Sequence, residues 1–397
     1  MLNTLGEILP RAAALFGDKT ALIIENRSYT YSALESLTNR FANGLRGLGV
    51  QPGDCVSIYS GNALEWIVSY HAALKCGAVV NPINVMLTPD EVRFVTSDCG
   101  ASIIVAPQDK ADPLLSLKSD TPLEHVVVFG GRIAGAQSFD DLVLRGQEEF
   151  VPVSRSPSDP STIAYTSGTT GHPKGAMLSH RAVVLNSAMT ANVHARTSAD
   201  TVVTALPCAH VYGNVVMNGA LLTGMTLVLM PRFDPAIALD LIEQHRATMF
   251  EGVPTMYLYI LNEPALGRHH LSTLTRCTVG GQTMPVAKAE EVEALFGCAL
   301  LELWGMTEIA GLGTTHPVYG FNRHGSIGIA LPYVECSTAD GNSQTFVCKE
   351  KGIKSYPTWI FADGSELTGE QSFATLAEKT SCTAFLPGKT ASGTGVK

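Results

Sequence analysis

The sequence predicts an α/β fold in which helices cover largely parallel sheets, and three observations support this. The 397 residues are 45% apolar and only 16% charged, so the chain can bury a large core in roughly two to three domains. Short β-branched runs alternate with amphipathic patterns between residues 20 and 129, which is the order that builds a parallel sheet covered by helices. Helix start signals lie between these runs, which supports helices between the strands.

The first third of the chain contains two helix starts and five strand candidates. Ser32 with Glu35 predicts a capping box, ahead of apolar residues whose spacing forms one helix face ending at Gly49. Thr88 and Glu91 predict a second helix start, with Pro89 at the first helical position, where its missing N–H has no cost. The strand candidates are residues 21–25, 55–60, 78–81, 102–106 and 125–129.

The alternation resumes after a stretch rich in serine and proline. Residues 154–161 (SRSPSDPS) predict a loop or a joint between subdomains. Further on, one helix is predicted at about 235–245, and strands are predicted at 162–165, 201–206, 226–230 and 299–302.

Charge and cysteine content narrow the class of protein. The formal net charge is −9 and no long basic run occurs, which argues against nucleic-acid binding. The N-terminus lacks a basic start followed by an apolar block, and the longest weakly polar stretch, 215–230, is shorter than the ~20 apolar residues of a membrane span. Nine scattered cysteines without a C-x-x-C pair predict reduced thiols in a cytoplasmic protein with no transmembrane segment.

The segment YTSGTTGHPKGAMLSH at 165–180 is the most informative of the chain. Residues 166–175 hold four hydroxyl side chains, three glycines and Lys174. Glycines let backbone N–H groups approach a polyphosphate, hydroxyls donate hydrogen bonds, and the lysine adds positive charge. The spacing is not that of a Walker A loop, and the alternative is an ordinary surface turn.

This segment resembles the signature phosphate loop of the adenylate-forming ligase superfamily, which includes acyl-CoA synthetases, aryl-CoA ligases and luciferases. The match is complete over 165–175. The resemblance covers residues 1 to about 335 and implies the large acyl-CoA synthetase-like N-terminal domain, with helix-covered sheets. Further family segments follow in order: PCAHVYG at 207–213, GVPTMY at 252–257, VGGQTMP at 279–285, LWGMTE at 303–308 and GSIGIALP at 325–332.

The resemblance implies a set of binding roles for ATP, Mg²⁺ and a carboxylic acid. The residues that would hold the β- and γ-phosphates are Thr166, Ser167, Gly168, Thr169, Thr170, Gly171 and Lys174. The residues that would surround the adenine and continue to the α-phosphate are Gly281, Gln282, Trp304, Gly305, Met306 and Thr307, with Trp304 where the family usually has tyrosine. Glu308 would ligate Mg²⁺, and His210 would bind the substrate carboxylate at the mouth of the acyl pocket.

These roles suit the chemistry, because a carboxylate that attacks the α-phosphorus brings two anions together. Charge neutralisation and alignment must then supply the catalysis, and no covalent nucleophile of the protein is required. Cys208 beside His210 suggests a Cys/His nucleophile, but no activating partner is identifiable and a buried thiol is the commoner case. The histidines show no zinc-ligand spacing.

Past Pro332 the sequence departs from the family pattern. The family's ribose-binding Asp segment, hinge and C-terminal lysine domain are not recognisable in residues 333–397. Residues 336–384 instead resemble a truncated thioredoxin-like α/β segment, of the type fused to vitamin K epoxide reductase homologues, with Pro357 at the cis-proline position and a hairpin after it. The redox C-x-x-C is absent, and pairing of Cys336 with Cys348 stays open. Residues 385–397 predict a disordered tail, with Lys389 or Lys397 as the alternative source of the family lysine.

The leading prediction is an AMP-forming acid–CoA ligase that converts a fatty or aryl acid to the acyl-adenylate and then, with CoA as co-substrate, to acyl-CoA. The apolar motif segments favour such acids over amino acids. Without the lysine domain, adenylation would be impaired and thioester formation lost. The alternatives are a non-catalytic ATP- or acyl-binding or interaction protein from a gene fusion or truncation, and an unstable truncation product. The oligomeric state is left open.

Overall fold

The computed structural model describes residues 2, 4–166 and 173–331, together with the backbone of two short strands at Thr358–Ile360 and Glu366–Thr368. The predicted phosphate-loop residues at 167–171 lie outside the described residues. So do Cys336, Cys348, Pro357 and the tail at 385–397. By its internal contacts the chain divides into two units, Met1–Val334 and Glu335–Lys397.

The described residues form eleven α-helices and a series of mostly short strands. The helices are α1 Ile8–Phe16, α2 Tyr31–Gly47, α3 Leu64–Lys75, α4 Pro89–Asp98, α5 Ala111–Leu117, α6 Phe139–Arg145, α7 His180–Val193, α8 Val211–Thr223, α9 Pro235–Gln244, α10 Pro254–Leu261 and α11 Val286–Phe296. The strands are β1 Thr20–Ile24, β2 Arg27–Thr30, β3 Cys55–Tyr59, β4 Val79–Ile83, β5 Ala101–Pro107, β6 His125–Phe129, β7 Gln137–Ser138, β8 Pro160–Thr166, β9 Lys174–Ser179, β10 Thr201–Thr204, β11 Thr226–Leu229, β12 Met249–Gly252, β13 Arg276–Val279, β14 Ala299–Met306, β15 Gly311–Thr315, β16 Ile329–Ala330, β17 Thr358–Ile360 and β18 Glu366–Thr368.

The strands of the first unit form two mixed sheets. The larger has the order β16-β15-β14-β13-β12-β10-β11-β1-β2, and its six strands from β14 to β1 run parallel. The smaller has the order β7-β6-β5-β3-β4-β8-β9, parallel except for the β8–β9 hairpin at its edge. Every residue of β3 and of β13 is buried, as is typical of parallel strands covered on both faces. The predicted α/β class is therefore confirmed.

Most predicted elements of the first 331 residues are confirmed, with small shifts at their ends. The strand at 125–129 has the bounds expected, and the helix expected at about 235–245 is α9. The joint expected at 154–161 is an irregular connection that ends where β8 begins at Pro160. The Thr88–Glu91 capping box is present, with the Glu91 carboxylate accepting from the Thr88 backbone N–H at 2.7 Å.

The predicted capping box at Ser32 and Glu35 is wrong, because α2 begins at Tyr31, two residues before the start that an N-cap at Ser32 would give. Thr30 is the N-cap, and its hydroxyl accepts from the backbone N–H of Ala33 at 3.1 Å. The buried Tyr31 sets this start, since its phenol donates to the carbonyl of Met225 at 2.6 Å. Glu35 instead accepts from Lys75 Nζ at 2.5 Å, so a buried ammonium rather than a helix end holds this carboxylate.

Candidate functional site

The motif segments of the larger sheet converge because they all follow the carboxyl ends of neighbouring parallel strands. PCAHVYG follows β10, GVPTMY begins at the last residue of β12, VGGQTMP at the last residue of β13, and LWGMTE ends β14. The register places Gly252 beside Val279 and Val279 beside Glu302, so these turns are adjacent. In open α/β sheets, ligands bind in the crevice outside the carboxyl ends of the strands.

The phosphate-loop segment approaches the same place from the smaller sheet. Thr166 and Lys174 face each other across the β8–β9 hairpin, on either side of the loop. Strand β9 in turn contacts the 3₁₀ turn Thr307–Ile309 that follows β14. The structure thus brings the strand that begins with Lys174 against the turn that carries Thr307 and Glu308, two motifs more than a hundred residues apart.

A surface suited to a flat ring is present beside this turn. Trp304 is 44% exposed, and its ring lies against Gly313, where an added Cβ would be 2.8 Å from Cζ3. Gly281 has a φ of +84°, a conformation that strains residues with side chains. Gly281 and Gln282 are both exposed. An exposed indole is a surface on which a planar base can stack.

Two backbone approaches in this region require glycine. An added Cβ on Gly280 would be 2.9 Å from the carbonyl oxygen of Leu303, the residue before Trp304. An added Cβ on Gly305 would be 2.1 Å from the carbonyl oxygen of Gly311. The predicted site glycine at 305 therefore has a packing role that the structure itself demonstrates.

Thr307 and Glu308 offer oxygen atoms for a hydrated cation. Glu308 is exposed and Thr307 is half-buried on the 3₁₀ turn. Mg²⁺ commonly binds one or two carboxylates together with substrate phosphates, rather than a cage made only of protein. Within residues 4–166 and 173–331, no group of three or more His, Cys, Asp or Glu side chains could hold a metal ion. Among these residues Glu308 is therefore not part of a metal cage made only of protein side chains.

His210 is fixed at the N-cap of α8. Its Nδ1 accepts from the backbone N–H of Tyr212 at 3.3 Å, so the neutral ring carries its proton on Nε2. Desolvation by the surrounding chain lowers the pKa of the imidazole, although the ring keeps solvent contact. Nε2–H is therefore available as a hydrogen-bond donor to an anion.

The surroundings of Cys208 do not favour a nucleophilic thiol. It is buried, and burial raises the pKa of its thiol to about 12, so the thiol stays protonated at neutral pH. The cysteines of the described residues are all free, as the sequence predicted: Cys55, Cys76, Cys99, Cys208, Cys277 and Cys298.

A buried polar network that the sequence analysis missed lies directly behind these motifs. Arg196 Nη2 contacts both carboxylate oxygens of Glu251, at 2.8 and 3.0 Å, and the two side chains are 1% and 0% exposed. Thr278 Oγ1 donates to Glu251 at 2.9 Å, so the Tyr212 phenol, 2.7 Å away, must donate to Thr278. The sequence does contain one signal for this network, the glutamate in the mainly apolar segment TMFEG. A charged residue in a buried strand needs a partner, since an unpaired charge is almost never fully buried.

The family of the chain is shown by comparison with known proteins. The model of the AMP-binding enzyme family matches residues 9–353, and the chain belongs to this family. An anthranilate CoA ligase solved in complex with anthranoyl-AMP has the same fold, with a TM-score of 0.80 and 24% identity over 91% of this chain and 77% of that one. ATP-bound MatB from Rhodopseudomonas palustris has a TM-score of 0.74 and 30% identity, over 82% of this chain and 65% of that one.

Curated relatives include ligases for different acids. The indoleacetate–CoA ligase of Aromatoleum aromaticum is 33% identical over 336 residues, which are 83% of this chain and 65% of the relative. The long-chain-fatty-acid–CoA ligase of Bacillus subtilis is 27% identical over 365 residues, covering 84% of this chain and 65% of the relative. The chain thus spans less than two thirds of the length of these relatives. No helix among the described residues is both long and apolar enough to cross a membrane.

Proposed function

We propose that the protein is an AMP-forming acid–CoA ligase that activates a carboxylic acid with ATP. In the first step, a carboxylate oxygen attacks the α-phosphorus and the bond to pyrophosphate breaks, which gives the acyl-adenylate. In the second step, which we expect to need the family's lysine domain, the thiol of CoA attacks the acyl carbonyl carbon, the bond from that carbon to AMP breaks, and AMP leaves. The observation that carries this proposal is the contact between β9, which begins with Lys174, and the turn bearing Thr307 and Glu308.

Different residues neutralise and align the two anions, the triphosphate of ATP and the carboxylate of the acid. Lys174 and the hydroxyl-rich loop before it bind the β- and γ-phosphates, and Thr307 contacts the α-phosphate. Trp304 stacks on the adenine, with Gly281 and Gln282 on its other side. These groups hold the phosphorus in line with the incoming carboxylate. This alignment lowers the activation free energy by more than any single contact, because the entropy cost of orienting the two reactants is met on binding.

His210 and Glu308 complete the site at its two ends. The Nε2–H of His210 donates to the acid carboxylate, while the Tyr212 backbone N–H on Nδ1 keeps the ring in this tautomer. Glu308 would hold Mg²⁺, which when bound would supply positive charge against the phosphates.

The substrate class follows from the relatives and from the apolar motif segments. Curated relatives are named for indoleacetate, benzoate, ferulate and long-chain fatty acids, so an aryl or fatty acid is the class we assign to this chain. We place the protein in the cytoplasm, a placement that the free cysteines of the described residues support.

We assign residues 1–335 to the AMP-binding domain, 336–384 to a partial thioredoxin-like segment and 385–397 to a disordered tail. One described feature supports the middle assignment. Strands β17 and β18 pair antiparallel, with Trp359 opposite Leu367, which is the hairpin expected after the SYPTW segment. The family match, however, extends to residue 353.

The test is carboxylate-dependent exchange of labelled pyrophosphate into ATP, measured on the purified protein with short-chain, long-chain and aromatic acids. Exchange above the no-acid background is the expected result, and the best acid names the class. A Glu308→Gln variant is expected to lose at least about 10²-fold of the exchange rate, because it removes the charge that holds Mg²⁺. ATP binding without exchange for any acid would contradict the ligase proposal and would favour a non-catalytic nucleotide-binding protein.

A further inference from the structure

The buried ion pair between Arg196 and Glu251 is incomplete in a way that points to a ligand. Both carboxylate contacts use Nη2 of the guanidinium. The other two nitrogens, Nε and Nη1, are buried and have no hydrogen-bond partner among the described residues. A buried donor without a partner is destabilising, so such a group in a native fold calls for an explanation.

A second buried ion pair of the same sheet provides the contrast. Arg276 Nε donates to the carbonyl of His194 at 2.7 Å, and its Nη1 and Nη2 both donate to Asp200, at 3.1 and 2.8 Å. Nη2 also donates to the carbonyl of Ala195 at 3.1 Å. The fold can therefore satisfy every nitrogen of a buried guanidinium, and it does not do so at Arg196.

The position of Arg196 relates it to the proposed acid site. Tyr212, Val216 and Gly219 lie on one face of α8, at the spacing of successive helical turns. This face turns toward β12 and β13, because the Tyr212 phenol meets Thr278 and the guanidinium of Arg196 lies against Gly219, 2.8 Å from where a Cβ would stand. Gly219 is nine residues from His210, about 14 Å along the helix at 1.5 Å per residue.

We propose that Arg196 is a specificity-determining residue of the acid site, and that the acid carries a neutral oxygen acceptor remote from its carboxylate. The inference rests on the proposed ligase function. With the carboxylate at His210 and the body of the acid passing beside α8 toward the level of Gly219, a carbonyl or hydroxyl oxygen accepts from Nε or Nη1 of Arg196. The acid is thus an oxo or hydroxy acid rather than a plain alkanoic acid.

The charge balance excludes a second carboxylate at this position. Glu251 already neutralises Arg196, so a dicarboxylic acid would bury an uncompensated negative charge. A plain alkyl chain offers no acceptor, so both donors of the guanidinium stay without partners. Its binding would also remove any water that still solvates them, which makes binding less favourable. A neutral acceptor satisfies the donors without changing the charge, and it is the one class that meets both conditions.

The test compares three acids of equal length in the exchange assay on the full chain: octanoate, 7-oxooctanoate and octanedioate, repeated with decanoate, 9-oxodecanoate and decanedioate. We expect the oxo acid to exceed the alkanoate in kcat/KM by about tenfold or more at one of the two lengths, with the dicarboxylate last. An alkanoate equal to or better than the oxo acid at both lengths would overturn the proposal.

Matched conservative variants assign the preference to Arg196. Arg196→Lys keeps the positive charge on Glu251 but removes the planar fork of donors, so the preference for the oxo acid should fall to within about twofold. Arg276→Lys is the control, and its preference should stay at the wild-type value. Retention of the preference in Arg196→Lys would overturn the assignment. The acid series on the wild-type protein decides the class of acid even where this variant fails to fold.

Failure of the ligase function remains distinguishable from failure of this inference. Absence of exchange with every acid contradicts the ligase function. Calorimetric titration of the same oxo acid and alkanoate, in the presence of ATP, then tests the inference by binding alone. Tighter binding of the oxo acid, lost in Arg196→Lys, supports it, and equal or undetectable binding of both acids overturns it.

Discussion

At the scale of single residues, His210 combines a structural and a proposed chemical role that a pair of variants can separate. Its Nδ1 caps α8 by accepting from Tyr212, and its Nε2–H is proposed to donate to the acid. His210→Ala loses both roles. His210→Asn keeps a side chain suited to an N-cap, but its amide is too short to reach the place of Nε2.

We expect the KM for the acid to rise by about tenfold or more in both variants, as loss of a hydrogen bond to a charged group predicts, while the KM for ATP stays close to wild type. The thermal midpoint should fall in His210→Ala and recover in His210→Asn. Steady-state exchange kinetics and thermal melts measure these effects. A wild-type acid KM in His210→Asn would show that the imidazole does not contact the acid.

Buried neutral histidines predict a loss of stability in mild acid. Burial lowers the pKa of His71 to about 3 and that of His180 to about 4, against about 6.5 in the unfolded chain. Above pH 6.5 both states are neutral and the contribution is fully present. Between pH 6.5 and the folded-state pKa values the unfolded chain binds more protons, so the free energy of unfolding falls as the pH falls.

At pH 5 the loss is about 2 kcal/mol for each histidine relative to pH 7, from 1.5 pH units at about 1.36 kcal/mol per unit. His71→Phe removes one of these titrations. Urea unfolding at pH 7 and pH 5 should therefore show a pH effect about 2 kcal/mol smaller in His71→Phe than in wild type. The carboxylates titrate in both proteins and cancel in this comparison. An equal pH effect in the two proteins would show that His71 is not held neutral.

At the scale of elements, the start of α2 separates what the local pattern predicts from what the fold selects. The pattern S-x-x-E at Ser32 is a sound capping signal, but a buried phenol at Tyr31 extends the helix by two residues and moves the cap to Thr30. Thr30→Ala should lower the free energy of unfolding by about 1 kcal/mol. Ser32→Ala should change it by less than about 0.5 kcal/mol, since Ser32 is exposed inside the helix.

Chemical denaturation of the two single variants measures this difference directly. The matched substitution of hydroxyl residues two positions apart controls for loss of a polar group. A larger loss for Ser32→Ala than for Thr30→Ala would place the cap where the sequence pattern alone predicted it.

Four of the elements that the sequence missed have identifiable physical causes. Helices α3 and α8 are buried on nearly all sides, so their sequences lack the polar face that makes an amphipathic pattern visible. Strands β12 and β13 are four residues long, too short for a distinctive run. By contrast, α4 carries its own capping box and β6 is a continuous β-branched run, and both were found because their signals are local.

At the scale of the whole molecule, the candidate site also has parts that the sequence predicts and parts that it does not. The motif segments were visible in the sequence because each is a short, local string. Their convergence is a property of parallel strand order, which places β10, β12, β13 and β14 side by side. The Arg196–Glu251 pair joins residues 55 positions apart, and no local pattern encodes such a pairing. The residues at 167–171 lie outside the described part of the chain, so their roles stay predictions.

Binding of ATP by the folded chain should appear as global stabilisation. A ligand at 100 times its Kd that binds only the native state adds about 2.7 kcal/mol to the free energy of unfolding. The first unit ends at Val334. At about 2.1 cal/mol/K per residue, an unfolding unit of roughly 330 residues has an entropy of about 0.7 kcal/mol/K, so the thermal midpoint should rise by about 4 °C.

GTP is the matched control for this measurement, because it carries the same triphosphate on a different base. The phosphate loop alone would bind both nucleotides, whereas the surface formed by Trp304 and the Gly281 turn should distinguish them. We therefore expect a larger shift with ATP than with GTP in differential scanning fluorimetry, and a smaller difference in Trp304→Ala. Equal shifts for the two nucleotides would assign recognition to the phosphates alone and remove the adenine role from Trp304.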